Sequence, residues 1–106
     1  MTKRELKRLA EKKARQSSCT YRVSAIGLNK RGEVLGSTTN RHRSIHPVKG
    51  NIHAEIALIH KYGKQLRTII ICRVGNGGDI LPIHPCPNCQ RIADSLGIKI
   101  ETVWEW

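Results

Sequence analysis

Phenylalanine is absent from this 106-residue chain, and its aromatic residues are Tyr21, Tyr62, Trp104 and Trp106 alone. A groove that stacks successive bases on aromatic rings is therefore poorly supplied. Acidic residues are scarce as well: 8 Asp plus Glu face 19 Lys plus Arg, a formal charge of +11. That imbalance favours anionic partners such as nucleotides, polynucleotides or an acidic membrane surface. No apolar run approaches the roughly 18 residues of a membrane span. The amino terminus is crowded with Lys, Arg and Glu where a secretory signal needs an apolar stretch, so the expected address is cytoplasmic. In a reducing compartment the four cysteines, Cys19, Cys72, Cys86 and Cys89, point to metal or redox chemistry rather than disulfides. The length suits one domain, residues 1–106, because single cores serve chains of roughly 50–200 residues. Runs such as Ile69-Ile70-Ile71 supply apolar material that a disordered basic tail lacks.

Thr2-Lys3-Arg4-Glu5 has the spacing of a capping box, in which hydroxyl and carboxylate each satisfy an orphan amide. A helix from about Lys3 to Gln16 follows, with Leu6, Leu9, Ala10 and Ala14 on one side and seven basic residues against two acidic ones elsewhere. Segments Thr20 to Leu28 and Glu33 to Ser37, joined by the turn signal Asn29-Lys30-Arg31-Gly32, read as an antiparallel hairpin. Thr39 to Asn51 is a polar loop of the kind that carries function. Ala54, Ile56, Ala57, Leu58, Ile59 and Tyr62 make a buried helix closing at Gly63. The apolar run Thr68 to Val74 reads as an interior strand of the kind found in parallel arrangements. Pro87 then opens a last helix capped near Gly97, and Ile98, Ile100, Thr102 and Trp104 alternate as a final strand. The order α-β-β-α-β-α-β predicts a mixed sheet of about four strands with helices on its faces.

Two fragments carry the chemistry: His53-Ala54-Glu55 at the start of the buried helix, and Pro85-Cys86-Pro87-Asn88-Cys89 at the start of the next. Either alone is weak, since a carboxylate at a helix start often complements only the helix dipole. Together they match the H-x-E…P-C-x-x-C signature of zinc-dependent nucleobase deaminases. The physical case is that Zn²⁺ takes tetrahedral nitrogen and sulfur donors, and a catalytic site supplies three from protein and leaves the fourth to water. His53, Cys86 and Cys89 make three, and helix N-termini favour thiolate. Glu55 is left as the acid–base group. Other readings compete. Cys86-Pro87-Asn88-Cys89 also resembles the dithiol of thiol-disulfide oxidoreductases, although the 17 residues after Cys89 are fewer than that fold needs. A closed structural zinc site would take Cys72 or His84 as a fourth ligand.

On these fragments, and on Ser18-Cys19-Thr20-Tyr21-Arg22, Gly32, Asn40 through Pro47 and Gly97-Ile98-Lys99, the chain resembles the cytidine and deoxycytidylate deaminase superfamily, including small bacteriophage members. The resemblance spans about residues 17 to 103. It implies a three-layer α-β-α sandwich, hydrolytic deamination of cytosine to uracil in a nucleoside or nucleotide, and Zn²⁺ held by His53, Cys86 and Cys89 with Glu55 as proton shuttle. It further implies that Asn40 contacts the substrate's sugar or base, that the Ala54 amide binds the pyrimidine carbonyl, and that the His84 carbonyl receives the exocyclic amine. Arg43 and His46 stand between a solvated loop and a role on substrate phosphate. Many relatives carry Glu or Ser where this chain has His84, and many continue through a further helix and strand, so a homo-oligomer supplying the missing pocket wall is expected. Two alternatives remain: a cytosine deaminase acting on single-stranded DNA or RNA, which the charge favours and the aromatic poverty opposes, and a non-catalytic zinc-stabilised basic module that binds nucleic acid.

Overall fold

A computed structural model describes residues 2–17, 22–42, 51–52 and 54–106. Helix α1 spans Lys3–Arg15 and opens on the expected capping box: the Glu5 amide donates to Thr2 Oγ1 at 3.2 Å and the Thr2 amide to Glu5 Oε1 at 3.4 Å. Strands β1 (Arg22–Leu28) and β2 (Val34–Thr39) form the hairpin, antiparallel with a register shift at Gly27/Leu28. Beyond β2, the segment read as one polar loop contains two short strands, β3 (Arg41–His42) and β4 (Asn51–Ile52), paired only with each other among the described residues. Helix α2 (Ala54–Tyr62), strand β5 (Thr68–Val74), the short strand β6 (Ile80–Leu81), helix α3 (Pro87–Ser95) and strand β7 (Lys99–Thr102) complete the order.

The main sheet has five strands, ordered β2-β1-β5-β6 with β7 also on β5. It is mixed: β5 runs antiparallel to β1 and β6 and parallel to β7. Strand β6 is the member that sequence reading lacks, and its two residues are too few for a periodic signal. It pairs with Arg73 and Val74 on the edge of β5 that β7 covers from Thr68 to Ile71. That edge is therefore occupied where a longer β7 would run. The chain turns instead into a 3₁₀ turn at Val103–Glu105, so Trp104 belongs to the turn rather than to the strand.

Alternation along β1 and β5 sorts their side chains into two cores. Ile26, Ile70, Cys72 and Val74 meet Leu6, Ala10 and Ala14 of α1, whereas Val23, Ala25, Ile69 and Ile71 meet Ala54 and Leu58 of α2 and Ala93 of α3. The result is the three-layer α-β-α sandwich, with α1 the one described α-helix on its face, joined there by Val103. A buried hydrogen bond from Ser24 Oγ to the Ala10 carbonyl, 2.7 Å, fixes α1 on β1. Helix α3 ends in a Schellman arrangement: Gly97, at φ +71°, donates to the Asp94 carbonyl, and Ile98 donates to the Ala93 carbonyl at 2.8 Å. Gly36 of β2 lies under the Tyr62 ring, and a Cβ there would meet Tyr62 Cζ at 2.8 Å. Gly36→Ala is accordingly expected to cost about 1–3 kcal/mol, as overpacking of a fitted contact does. An unchanged denaturant midpoint would show that the ring yields freely.

Candidate active site

The described parts of the two fragments, Ala54-Glu55 and Pro85 to Cys89, come together at the starts of α2 and α3, on the same face of the sheet. Glu55 stands in the first turn of α2 with 4% of its surface exposed, and Cys89 in the first turn of α3 with 1%. Cys86 is the N-cap of α3, in extended conformation, and Pro87 occupies the first helical position, where its missing amide proton costs nothing. The Cys86 sulfur accepts from the Cys89 amide at 3.5 Å. Burial pushes the Cys89 thiol up to about 12, and Glu55 and Cys86 reinforce the rise by charge and hydrogen bonding. The carboxylate of α2 thus lies against the thiol of α3.

This donor set suits a divalent cation. Acids so close release their protons together only beside compensating positive charge, and a metal ion inverts the local order, deprotonating a coordinating thiol outright. Two cysteines with an imidazole are donors that zinc accepts. Among the described residues no three His, Cys, Asp or Glu side chains converge as a ligand set. His53, the third ligand of the motif, lies outside the described residues, as do Arg43, His46 and Cys19.

The two candidates for a fourth structural ligand stand elsewhere. Cys72 belongs to the α1 side of the sheet, buried among Ala10, Ala14 and Ile70, and burial pushes its thiol up to about 11. His84 is solvent-exposed, with Nδ1 3.9 Å from Glu105 Oε1. Asn40 is buried at the end of β2, 5% exposed, and its Oδ1 accepts from the Val23 amide at 3.0 Å and from Ser17 Oγ at 2.8 Å. Its side chain is thereby oriented by Ser17, two residues past the end of α1, and by β1. Ala54 is fully buried, and its carbonyl accepts from Thr38 Oγ1 at 2.7 Å, which ties β2 to the first turn of α2. Ser17 and Thr38 carry no sequence signal for these tasks, since each acts across a long span of chain.

The matched family model describes the cytidine and deoxycytidylate deaminase zinc-binding region and extends over residues 1–104. The chain belongs to that family. A cytidine deaminase from Burkholderia pseudomallei is similar in structure at a TM-score of 0.68, with 16% identity over 97% of this chain and 87% of that one. A cytidine deaminase from Mycobacterium leprae gives 0.66, with 19% identity over 96% and 88%. A dCMP deaminase from the cyanophage S-TIM5, in apo form, gives 0.65, with 19% identity over 95% and 83%. At such identities these likenesses establish the fold. No curated protein matches the chain in sequence. No described helix is long and apolar enough to cross a membrane.

Proposed function

We propose that this chain is a zinc-dependent hydrolase that deaminates cytosine to uracil in a nucleoside or nucleotide of the cytidine, deoxycytidine or deoxycytidylate type. The observation that carries this reading is the Glu55 carboxylate, buried at the start of α2 against Cys89 of α3. A zinc-stabilised binding module has no use for a buried carboxylate beyond its ligand set, whereas hydrolysis needs an acid–base group there. His53, Cys86 and Cys89 would hold the zinc, which when bound lowers the pKa of water toward about 7 and so supplies a nucleophile at neutral pH.

The chain's own groups do the rest. Glu55 takes a proton from the attacking water, passes it to the ring nitrogen beside the amino-bearing carbon, and moves the second proton to the departing nitrogen. Water and cytosine thus give uracil and ammonia, with Glu55 returned to its starting state. The Ala54 amide holds the pyrimidine carbonyl, the His84 carbonyl receives the amine, and Asn40, its oxygen pinned by Ser17 and Val23, orients the sugar or base. Arg43 pairs with a substrate phosphate where one is present. A cytoplasmic setting suits thiolate ligands, and the reading includes the homo-oligomer that the resemblance implies.

The test is conversion of deoxycytidine, cytidine and their monophosphates by zinc-loaded protein, followed by ultraviolet absorbance and ammonia release. Turnover of at least one of them is expected. Failure with all four, at full zinc occupancy, would overturn the reading.

A further inference from the structure

Strand β2 forms one edge of the sheet and, among the described residues, pairs only with β1. Two concavities lie along it. At its start, one of about 410 Å³ is lined by Lys30, Arg31, Lys64 and Arg67, with Glu33 its one carboxylate. Glu33 is engaged locally, accepting from Asn29 Nδ2 at 3.2 Å. At its end, one of about 320 Å³ is lined by Lys13 of α1, Lys61 of α2 and the hydroxyl-bearing Ser37 and Thr39, with no carboxylate among the described residues. Among the described residues of the two linings, six cations therefore flank one strand against a single acid. Gathering like charge on one surface is unfavourable unless an anion lies there. The six residues of β2 extend about 20 Å, more than one mononucleotide covers. At the roughly 3.4 Å rise of a stacked strand, that length corresponds to about six nucleotides.

The direction of the track is informative. Its far end runs into Asn40, and Thr38 is hydrogen-bonded to the Ala54 carbonyl beside Glu55. We propose that the β2 edge is a phosphate-tracking surface for single-stranded nucleic acid, which leads the strand from the β1–β2 turn to the start of α2. Among the described residues neither concavity is lined by an aromatic side chain, so contact is through phosphates and is independent of sequence. Delivery of a cytosine by this track rests on the deaminase reading above, whereas binding along the track does not.

The experiment measures fluorescence anisotropy of a labelled oligodeoxycytidylate with zinc-loaded protein across a salt series, alongside deoxycytidine turnover. Two double variants, Lys61→Glu with Lys64→Glu and Lys13→Glu with Arg31→Glu, are compared with Arg8→Glu plus Lys12→Glu, an equal charge change on α1 outside the track. Each track pair is expected to weaken binding about tenfold or more and to flatten the log–log salt slope by about 1.4, at roughly 0.7 per lost phosphate contact. Deoxycytidine turnover should be unchanged. Equal weakening by the α1 pair, no binding by the parent protein, or equal affinity for polyglutamate would each overturn the track. Absence of deoxycytidine turnover with binding intact would instead strike the catalytic reading.

Discussion

Glu55→Gln is expected to lower cytosine deamination by a factor of about 10²–10⁴, the usual share of a positioned acid–base group, with fold and zinc content retained. The isosteric amide keeps the volume of a side chain that is 4% exposed and keeps a hydrogen-bonding partner for Cys89, but it has no carboxylate to accept the proton. The loss should fall on kcat rather than KM, because the acid–base role is exercised in the transition state and not in binding. Steady-state kinetics with circular dichroism and metal analysis read all three quantities. A variant with more than about a tenth of parental kcat would assign the proton transfer to another group.

The second large effect is on the metal. Cys89→Ser is expected to lose most of its zinc and, with it, activity, since a serine hydroxyl does not ionise near neutral pH to replace a thiolate donor. Cys86→Ser should behave in the same way, although its loss also removes the acceptor for the Cys89 amide. Cys72→Ala provides the contrast. It removes a thiol from the α1 side of the sheet and should retain zinc while losing some stability through the cavity left. The ratio of zinc to chain after dialysis decides. Full zinc in Cys89→Ser, or its loss in Cys72→Ala, would require a different ligand set.

Much of the architecture was legible because the features that encode it are local. The Thr2–Glu5 capping box, the isoleucine run of β5, and Pro87 with Gly97 bracketing α3 each act within a few residues, and each stands where sequence spacing places it. Strand β2 runs on to Thr39, beyond the reading that ended at Ser37, because pairing of Ser24 with Thr39 comes from β1 rather than from hydrophobic alternation. Strand β6 and the 3₁₀ turn at Val103–Glu105 were illegible for the same reason: which edge of β5 is free depends on the assembled sheet. In the candidate site, Glu55, Cys86 and Cys89 were readable from the spacing of their chemistry. The Ser17–Asn40 and Thr38–Ala54 bonds join residues 23 and 16 positions apart, and polar side chains of this kind are equally at home in any turn.

Strand β5 has one neighbour from before the site and one from after it: β1 precedes α2, and β7 follows α3. Its parallel pairing with β7 spans a crossover that contains α3, so the segment bearing Cys86 and Cys89 is the connection between the two strands. Contacts between distant chain segments carry the loop-closure cost that slows folding, and here that cost falls on the step that brings the two helix starts together. Among the described residues β7 pairs only with β5, so the segment that carries Cys86 and Cys89 is anchored to the sheet through an edge strand, where local opening costs least.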